Sequence, residues 1–104
     1  MKHTIKLSEA AFADIESIVE YYLRLNRKTA FRYYKEILKR IRNLSMFPRI
    51  GRIVPEFEEE LFDKYREIIF KQFRIIYRID HARILIIRII DARRMLDLDL
   101  IAEV

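Results

Sequence analysis

At Pro48 the hydrophobic spacing of the chain changes, and that break restricts the fold more than any other feature of the sequence. Between Ala11 and Leu44 apolar residues recur at intervals of three and four, the period of a helix buried along one stripe. Between Tyr65 and Ile90 β-branched and aromatic residues gather in short runs, as strands require. Proline lacks the amide proton that a helix interior uses, and its ring clashes with the preceding turn, so it closes the helical part. Closely joined helices followed by closely joined strands leave few architectures, chief among them a helix pair laid on one face of a sheet.

The individual elements follow from local signals. His3 to Leu7 alternate polar and apolar and predict a short first strand. Ser8 is placed to cap a helix, with Glu9 in the first turn where the helix dipole favours an acid. Ala11, Ile15, Ile18, Tyr22 and Leu25 form the inward stripe of this first helix, which ends near Leu25. Asn26-Arg27-Lys28 then predicts a tight connection to a second helix running from about Thr29 to Phe47. Its inward stripe is Ala30, Tyr34, Ile37, Ile41 and Leu44; Lys28, Arg32, Lys35, Lys39 and Arg42 form a basic stripe opposite. Helices joined this closely pack as an antiparallel hairpin.

Gly51 marks a turn, and Ile50 to Val54 predict a short strand. The acidic run holding Glu56, Glu58, Glu59, Glu60 and Asp63 reads as a solvated loop, because neighbouring like charges repel. Tyr65–Phe70, Phe73–Ile79 and Arg83–Ile90 predict three strands joined by Lys71-Gln72 and Asp80-His81-Ala82, connections short enough for an antiparallel meander. The expected fold is therefore α+β, with an N-terminal strand and an antiparallel helical hairpin packed on one face of a mainly antiparallel C-terminal sheet. In the tail, 95–104, Leu96, Leu98 and Leu100 alternate with Asp97 and Asp99; a strand, a helix end and a flexible or partner-binding extension all stay open.

A length of 104 residues gives one domain spanning 1–104, and 52% hydrophobic with 36% charged residues gives it a packed core and not a disordered chain. One glycine cannot build a glycine-rich phosphate loop, and the absence of cysteine removes disulfides and thiolate metal sites. His3 and His81 stand far apart without ligand-spaced neighbours, so neither a metal nor a cofactor is expected. Ser8, Ser17 and Ser45 lack a paired histidine and read as structural. No secretory pattern opens the chain, and apolar runs such as Ile84-Leu85-Ile86-Ile87 are too short to span a bilayer. A cytoplasmic protein with no membrane partner is expected.

The net charge of +5 is unevenly distributed. Lys64, Arg66, Lys71, Arg74, Arg78, Arg83, Arg88, Arg93 and Arg94 crowd the second half, against Glu67, Asp80 and Asp91. Such a basic half suits a polyanion or an acidic partner. Strand alternation puts Arg74, Ile76 and Arg78 on one face and Ile75, Tyr77 and Ile79 on the other. If the second set is buried under the helices, the guanidiniums are displayed, with Arg66, Arg93 and Arg94 converging on them. Forked guanidiniums can hold a phosphate and stabilise charge developing on it. The alternative is a set of ordinary arginines paired across strands with Glu67, Asp80 and Asp91. The tyrosine pairs Tyr21-Tyr22 and Tyr33-Tyr34 are packing residues, one of each available for an exposed aromatic patch.

Taken in order, several segments resemble a known pattern over roughly residues 3–94. They are Leu7-Ser8 with Ala11, Asp14-Ile15, Ile18 and Tyr21-Tyr22; Pro48-Arg49-Ile50-Gly51-Arg52; Val54-Pro55-Glu56; and Arg66-Glu67. Phe73 to Ile79, Ile86 to Ile90 and Ala92-Arg93-Arg94 complete the series. The pattern is similar to the RelE/ParE toxins of type II toxin–antitoxin and plasmid stabilisation systems. That resemblance implies a growth-inhibiting toxin neutralised by a cognate antitoxin whose acidic and apolar segment wraps the sheet and helices. It also implies one of two targets: DNA gyrase for ParE-like members, or ribosome-bound mRNA for RelE-like endoribonucleases (mRNA interferases). Arg74 stands where the nucleases carry a sheet arginine, Arg66 where they carry a lysine, and Arg93 near their late arginine. In that reading these three are catalytic, while Lys64, Lys71, Arg78, Arg88 and Arg94 hold nucleic acid or target. Ile68 replaces a second basic residue, the tail has no tyrosine, and Asp91-Ala92 stand where a histidine precedes the arginines. These departures favour the ParE-like, gyrase-directed branch. A third reading is an inactive relative that only binds its antitoxin and regulates its operon. The sequence admits a homodimer without specifying one.

Overall fold

The computed structural model describes residues 2–57 and 64–92. Strand β1 (Thr4–Leu7) runs into Ser8, whose extended backbone and side chain open helix α1 (Glu9–Leu25). The Ser8 hydroxyl accepts from the Ala11 amide at 3.0 Å, satisfying one of the amides that a helix start leaves unpaired. It also donates to the Ile87 carbonyl at 2.7 Å, so the same side chain caps the helix and ties it to the sheet. Ala11, Ile15 and Ile18 are buried and Tyr22 half-buried as the spacing predicts, but Leu25 is exposed because the chain turns before its position can face the core.

That turn is a single residue. Asn26, in extended conformation, ends α1 with its amide on the Tyr22 carbonyl and starts helix α2 (Arg27–Asn43) with its Oδ1 on the Thr29 amide. One residue that caps both helices, α1 through its backbone amide and α2 through its side chain, makes the expected Arg27-Lys28 linker unnecessary, so α2 starts two residues early. It also ends early. Ser45 exchanges hydrogen bonds with His3 through its Oγ and carbonyl, and residues 44–46 turn instead of continuing to Phe47. Along α2 Ala30, Ile37, Ile41 and Leu44 are buried, but Tyr34 is 41% exposed. Tyr33 takes the inward place and packs against Tyr22, Phe70 and Phe73. Each tyrosine pair divides into one outward and one inward residue, Tyr21 and Tyr34 outward, Tyr22 and Tyr33 inward, which reverses the inward place expected for Tyr34.

Beyond Gly51 come β2 (Arg52–Ile53), shorter than the run 50–54, and a 3-10 turn at Pro55–Phe57. Strands β3 (Tyr65–Phe70), β4 (Phe73–Asp80) and β5 (Arg83–Asp91) form the antiparallel meander. The sheet order is β1-β5-β4-β3-β2, with β1 parallel to β5 and every other pair antiparallel. The register shifts between Ile76 and Tyr77, which face Arg88 and Ile86, leaving Ile87 as an extra residue in β5. It is the carbonyl of this bulged residue that receives Ser8.

The helical hairpin covers one face of the sheet, burying Ile75, Tyr77, Ile84, Ile86 and Ile89. A second, smaller core lies on the opposite face, where Val54 and Phe57 cover Tyr65, Ile76, Ile87 and Ile90. Among the described residues no helix is long and apolar enough to cross a membrane. The tail 95–104 and residues 58–63, with Glu58, Glu59, Glu60 and Asp63 of the acidic run, lie outside the described residues.

Gly51 sits where backbone, strand and phenol meet. A Cβ there would lie 2.6 Å from the Glu67 carbonyl and 2.6 Å from the Tyr77 hydroxyl. That hydroxyl donates to the Pro48 carbonyl at 2.7 Å and accepts from the Gly51 amide at 3.0 Å, which pins the turn after α2 to the centre of the sheet. Burial pushes the Tyr77 phenol above its ordinary pKa, partly offset by the Gly51 amide. Replacing Gly51 by Ala is expected to cost about 1–3 kcal/mol through overpacking, read from the urea midpoint; a midpoint unchanged from wild type would refute the close approach.

Candidate functional site

The far side of the sheet is where alternation places Arg74, Ile76 and Arg78, and the registers agree: Arg74 faces Ile69, and Arg78 faces Tyr65. The expected display of free guanidiniums is nevertheless wrong for Arg74, which is 5% exposed. The turn Pro55–Phe57 lies over it, because Val54 and Phe57 bury their side chains in the second core and carry Glu56 with them. Glu56 therefore belongs to no solvated loop. Its Oε2 and Oε1 accept from Arg74 Nη1 and Nη2 at 2.6 and 2.7 Å, a parallel two-bond fork.

The inner edge of the same guanidinium is also occupied. Arg74 Nε donates to Glu67 Oε1 at 2.6 Å, and Glu67 Oε2 accepts from Arg52 Nε at 2.6 Å. Arg52 and Glu67 are direct cross-strand partners between β2 and β3, which brings both onto the face of Arg74. The four groups make a chain, Arg52–Glu67–Arg74–Glu56, of two positive and two negative charges. Glu67 has a side chain with no exposed surface, and Arg52 at the open end is 61% exposed. The Glu56 bonds, against the cost of burial, hold the Arg74 guanidinium above its ordinary pKa, with Glu67 adding to the effect.

Arg66 does not join this group. It faces Tyr77 across the β3–β4 pair, and Tyr77 points under the helices, so Arg66 and Arg74 occupy opposite faces. Its Nη1 donates to the Gly51 carbonyl at 2.9 Å, and its Nε is buried without a hydrogen-bond partner among the described residues. Arg88 is likewise turned away from the expected target surface. Beside the β5 bulge it forks onto Asp14 of α1 at 2.8 and 2.9 Å, and Asp14 also accepts from the Ile89 amide. The Asp14 carboxylate raises the Arg88 pKa. Arg78 is half-buried over the Tyr65 ring, with Nη1 3.4 Å from its hydroxyl. Lys64 and Lys71 are exposed, the first over Tyr65 and the second in the β3–β4 turn with φ 53°. Arg93 and Arg94 lie outside the described residues.

The pairing of Arg74 with Glu67 matches the cross-strand alternative read from the sequence, but Glu56, Arg52 and Asp14 were not anticipated as partners. Signals for two of them exist. Phe57 and Val54 are apolar anchors at the start of an acidic run, and Asp14 borders the buried stripe Ala11–Ile15–Ile18. A separate feature lies on the outer side of the hairpin. Val19, Leu23, Phe31 and Tyr34 floor a groove rimmed by Arg27, Lys28, Arg32 and Lys35, with Glu36 at one end.

A helical hairpin roofing a five-stranded sheet with β1 parallel to β5 is the architecture of the RelE/ParE-like fold. The model of the ParE toxin of the type II toxin–antitoxin system parDE matches residues 5–96, and the chain belongs to that family. Solved structures that share its fold include two toxin–antitoxin systems. The chromosomal ParDE toxin–antitoxin system from P. aeruginosa superposes with a TM-score of 0.70 at 20% identity, covering 86% of this chain and 96% of that one. The toxin–antitoxin complex RelBE2 from Mycobacterium tuberculosis gives 0.63 at 18% identity, covering 88% and 99%. No curated protein sequence matches significantly.

Removing one member of the buried chain of charges strands the others. Arg74→Met is expected to destabilise the protein by about 3–5 kcal/mol, since Glu67 Oε1 and both Glu56 oxygens lose their charged donor and Glu67 keeps only Arg52 on its other oxygen. Arg52→Ala, at the solvated end, should cost only about 1 kcal/mol. Chemical denaturation of both variants measures the difference, and equal losses would contradict the asymmetry.

Proposed function

We propose that this ParE-type toxin acts by binding DNA gyrase and that it has no ribonuclease activity of its own. The observation that carries this reading is the state of Arg74. A guanidinium that is to hold a scissile phosphate needs its outer edge open, whereas here two carboxylates fill both edges. Arg66, the second residue of the nuclease reading, approaches the sheet from the other side. The family match to ParE toxins supports the same target. Purified protein is expected to inhibit supercoiling by gyrase and to leave transcripts intact after induction. Cut transcripts, with Arg74→Ala reducing cleavage at least about tenfold, would instead establish the ribosome-dependent nuclease.

Neutralisation by a cognate antitoxin belongs to this proposal. The two solved structures described above are toxin–antitoxin systems. The groove on the outer side of the hairpin fits an acidic amphipathic segment of such a partner: its floor is apolar and four cations stand on its rim against Glu36. Phe31 is 64% exposed, so Phe31→Glu should leave the fold intact. Its affinity for the short acidic protein expected from the neighbouring reading frame should fall at least about tenfold, or about 1.4 kcal/mol, in a calorimetric titration. Undiminished affinity would move the antitoxin elsewhere.

A further inference from the structure

Viewed down its axis, α2 carries a crest of like charge. At about 100° per residue, Lys28, Arg32, Lys35, Lys39 and Arg42 fall within a sector of about 80°, which no other residue of the helix shares. The sector lies opposite the buried Ala30, Ile37 and Ile41, so the five side chains point away from the core, and all five are exposed. With a rise of about 1.5 Å per residue the row is about 21 Å long. None of the five has an ion pair among the described residues. Glu36, the one acid of α2, stands off the row and pairs with Arg40 at 3.6 Å, while Lys35 lies over the Phe31 ring.

This placement works against the helix. Neighbours in the row are three or four residues apart, where like charges repel. The first turn of α2 holds Arg27 and Lys28 and no acid, although the helix dipole favours an acid there. Helix α1 follows the favourable order, with Glu9 in its first turn and Arg24 in its last. On the sheet, Arg74 and Arg88 are each met by a carboxylate. A fold that matches its arginines elsewhere but keeps five cations in line weakens its own helix, as happens where a ligand supplies the counter-charge.

We propose that the crest of α2 binds the phosphodiester backbone of a nucleic-acid duplex. Such a duplex carries one negative charge about every 1.7 Å along its axis, so it offers phosphates over the whole length of the row. Three of the five cations are lysines, which protein–protein interfaces disfavour and which, with arginine, supply the phosphate contacts of nucleic-acid surfaces. Lys39 and Arg42 stand beside Glu36, Arg40 and Asn43, off the apolar floor of the groove, so that end of the row has charge to offer without an apolar anchor. Recognition is by charge and carries no base sequence. Lys28, Arg32 and Lys35 belong to the crest and also rim the groove, so an acidic segment seated in the groove and a duplex on the crest compete for them.

The test is a fluorescence-anisotropy titration of the full chain against labelled duplexes of about 20 base pairs, one of DNA and one of RNA, and against polyglutamate of similar charge. A duplex should bind with an affinity that falls with salt, log K against log salt concentration having a slope of about −4. The double change Lys39→Ala with Arg42→Ala should weaken binding at least about tenfold at low salt and flatten the slope by about 2. Its Tm should equal or exceed that of wild type, because alanine favours the helix and the repulsion is gone, so a lost contact is told apart from a lost fold. Should that variant fold poorly, Lys39→Gln with Arg42→Gln removes the same charges and keeps side chains of similar kind. The matched control Lys2→Ala with Lys6→Ala, on the exposed side of the first strand, should change affinity less than about threefold. Binding of either duplex upholds the proposal, and the comparison of DNA with RNA identifies the source of the backbone. Absence of salt-dependent binding overturns it, as does an equal loss in the control. Tighter binding of polyglutamate than of either duplex overturns it in favour of an acidic protein surface. Gyrase is absent from every assay, so the outcome is separate from that of the gyrase reading.

Discussion

Glu67 is a carboxylate with no exposed side-chain surface, and the far side of the sheet is organised around neutralising it. A buried unpaired charge costs several kcal/mol, so the fold must deliver Arg52 from β2 and Arg74 from β4 to its two oxygens at once. That requirement fixes registers. A slip of one residue in β3 would send Glu67 into the apolar core under the helices and turn Arg66 outward. The paired registers therefore do more than satisfy backbone hydrogen bonds; they keep a charge out of the wrong core. Glu56 completes the balance, and through it the turn after β2 is drawn against the sheet.

On the helical side the attachments are fewer and sit at the ends of elements. Ser8 and Asp14 bind the first half of α1 to the bulged stretch of β5, with Arg88 closing the contact. Ser45 and His3 join the end of α2 to the start of β1, and Tyr77 holds the following turn. Asn26 lets the hairpin turn within one residue. Because these ties lie on the sheet side and at the ends, the outer surface between the helices is left with apolar residues and exposed cations. The shape and charge of that groove follow from how the hairpin is fastened.

The net positive charge of the chain is thus deployed in two ways. On the sheet, three arginines are consumed internally: Arg74 by Glu56 and Glu67, Arg88 by Asp14, Arg66 by the Gly51 carbonyl. On the hairpin, Lys28, Arg32 and Lys35 remain exposed beside Phe31 and Tyr34. This division is the ground on which the gyrase-directed reading was proposed.

Much of this was legible from residue order. Pro48 and the two hydrophobic periods determine the helical hairpin and the meander, because local spacing alone decides whether a stripe or an alternating face can be buried. Ser8 is a cap and Ile75 and Tyr77 are core residues for the same local reason. Which face each strand presents was also readable within β4. What only the tertiary structure decided are the pairings between distant segments: β1 parallel to β5, Arg66 opposite Arg74, Asp14 on Arg88, and Glu56 on Arg74. Periodicity reports which side of its own element a residue occupies; it carries no information about which remote segment will cover that side. Whether an arginine is displayed or buried depends on the covering segment, and here Val54 and Phe57, by seeking a second core, closed a surface that the strand pattern alone leaves open.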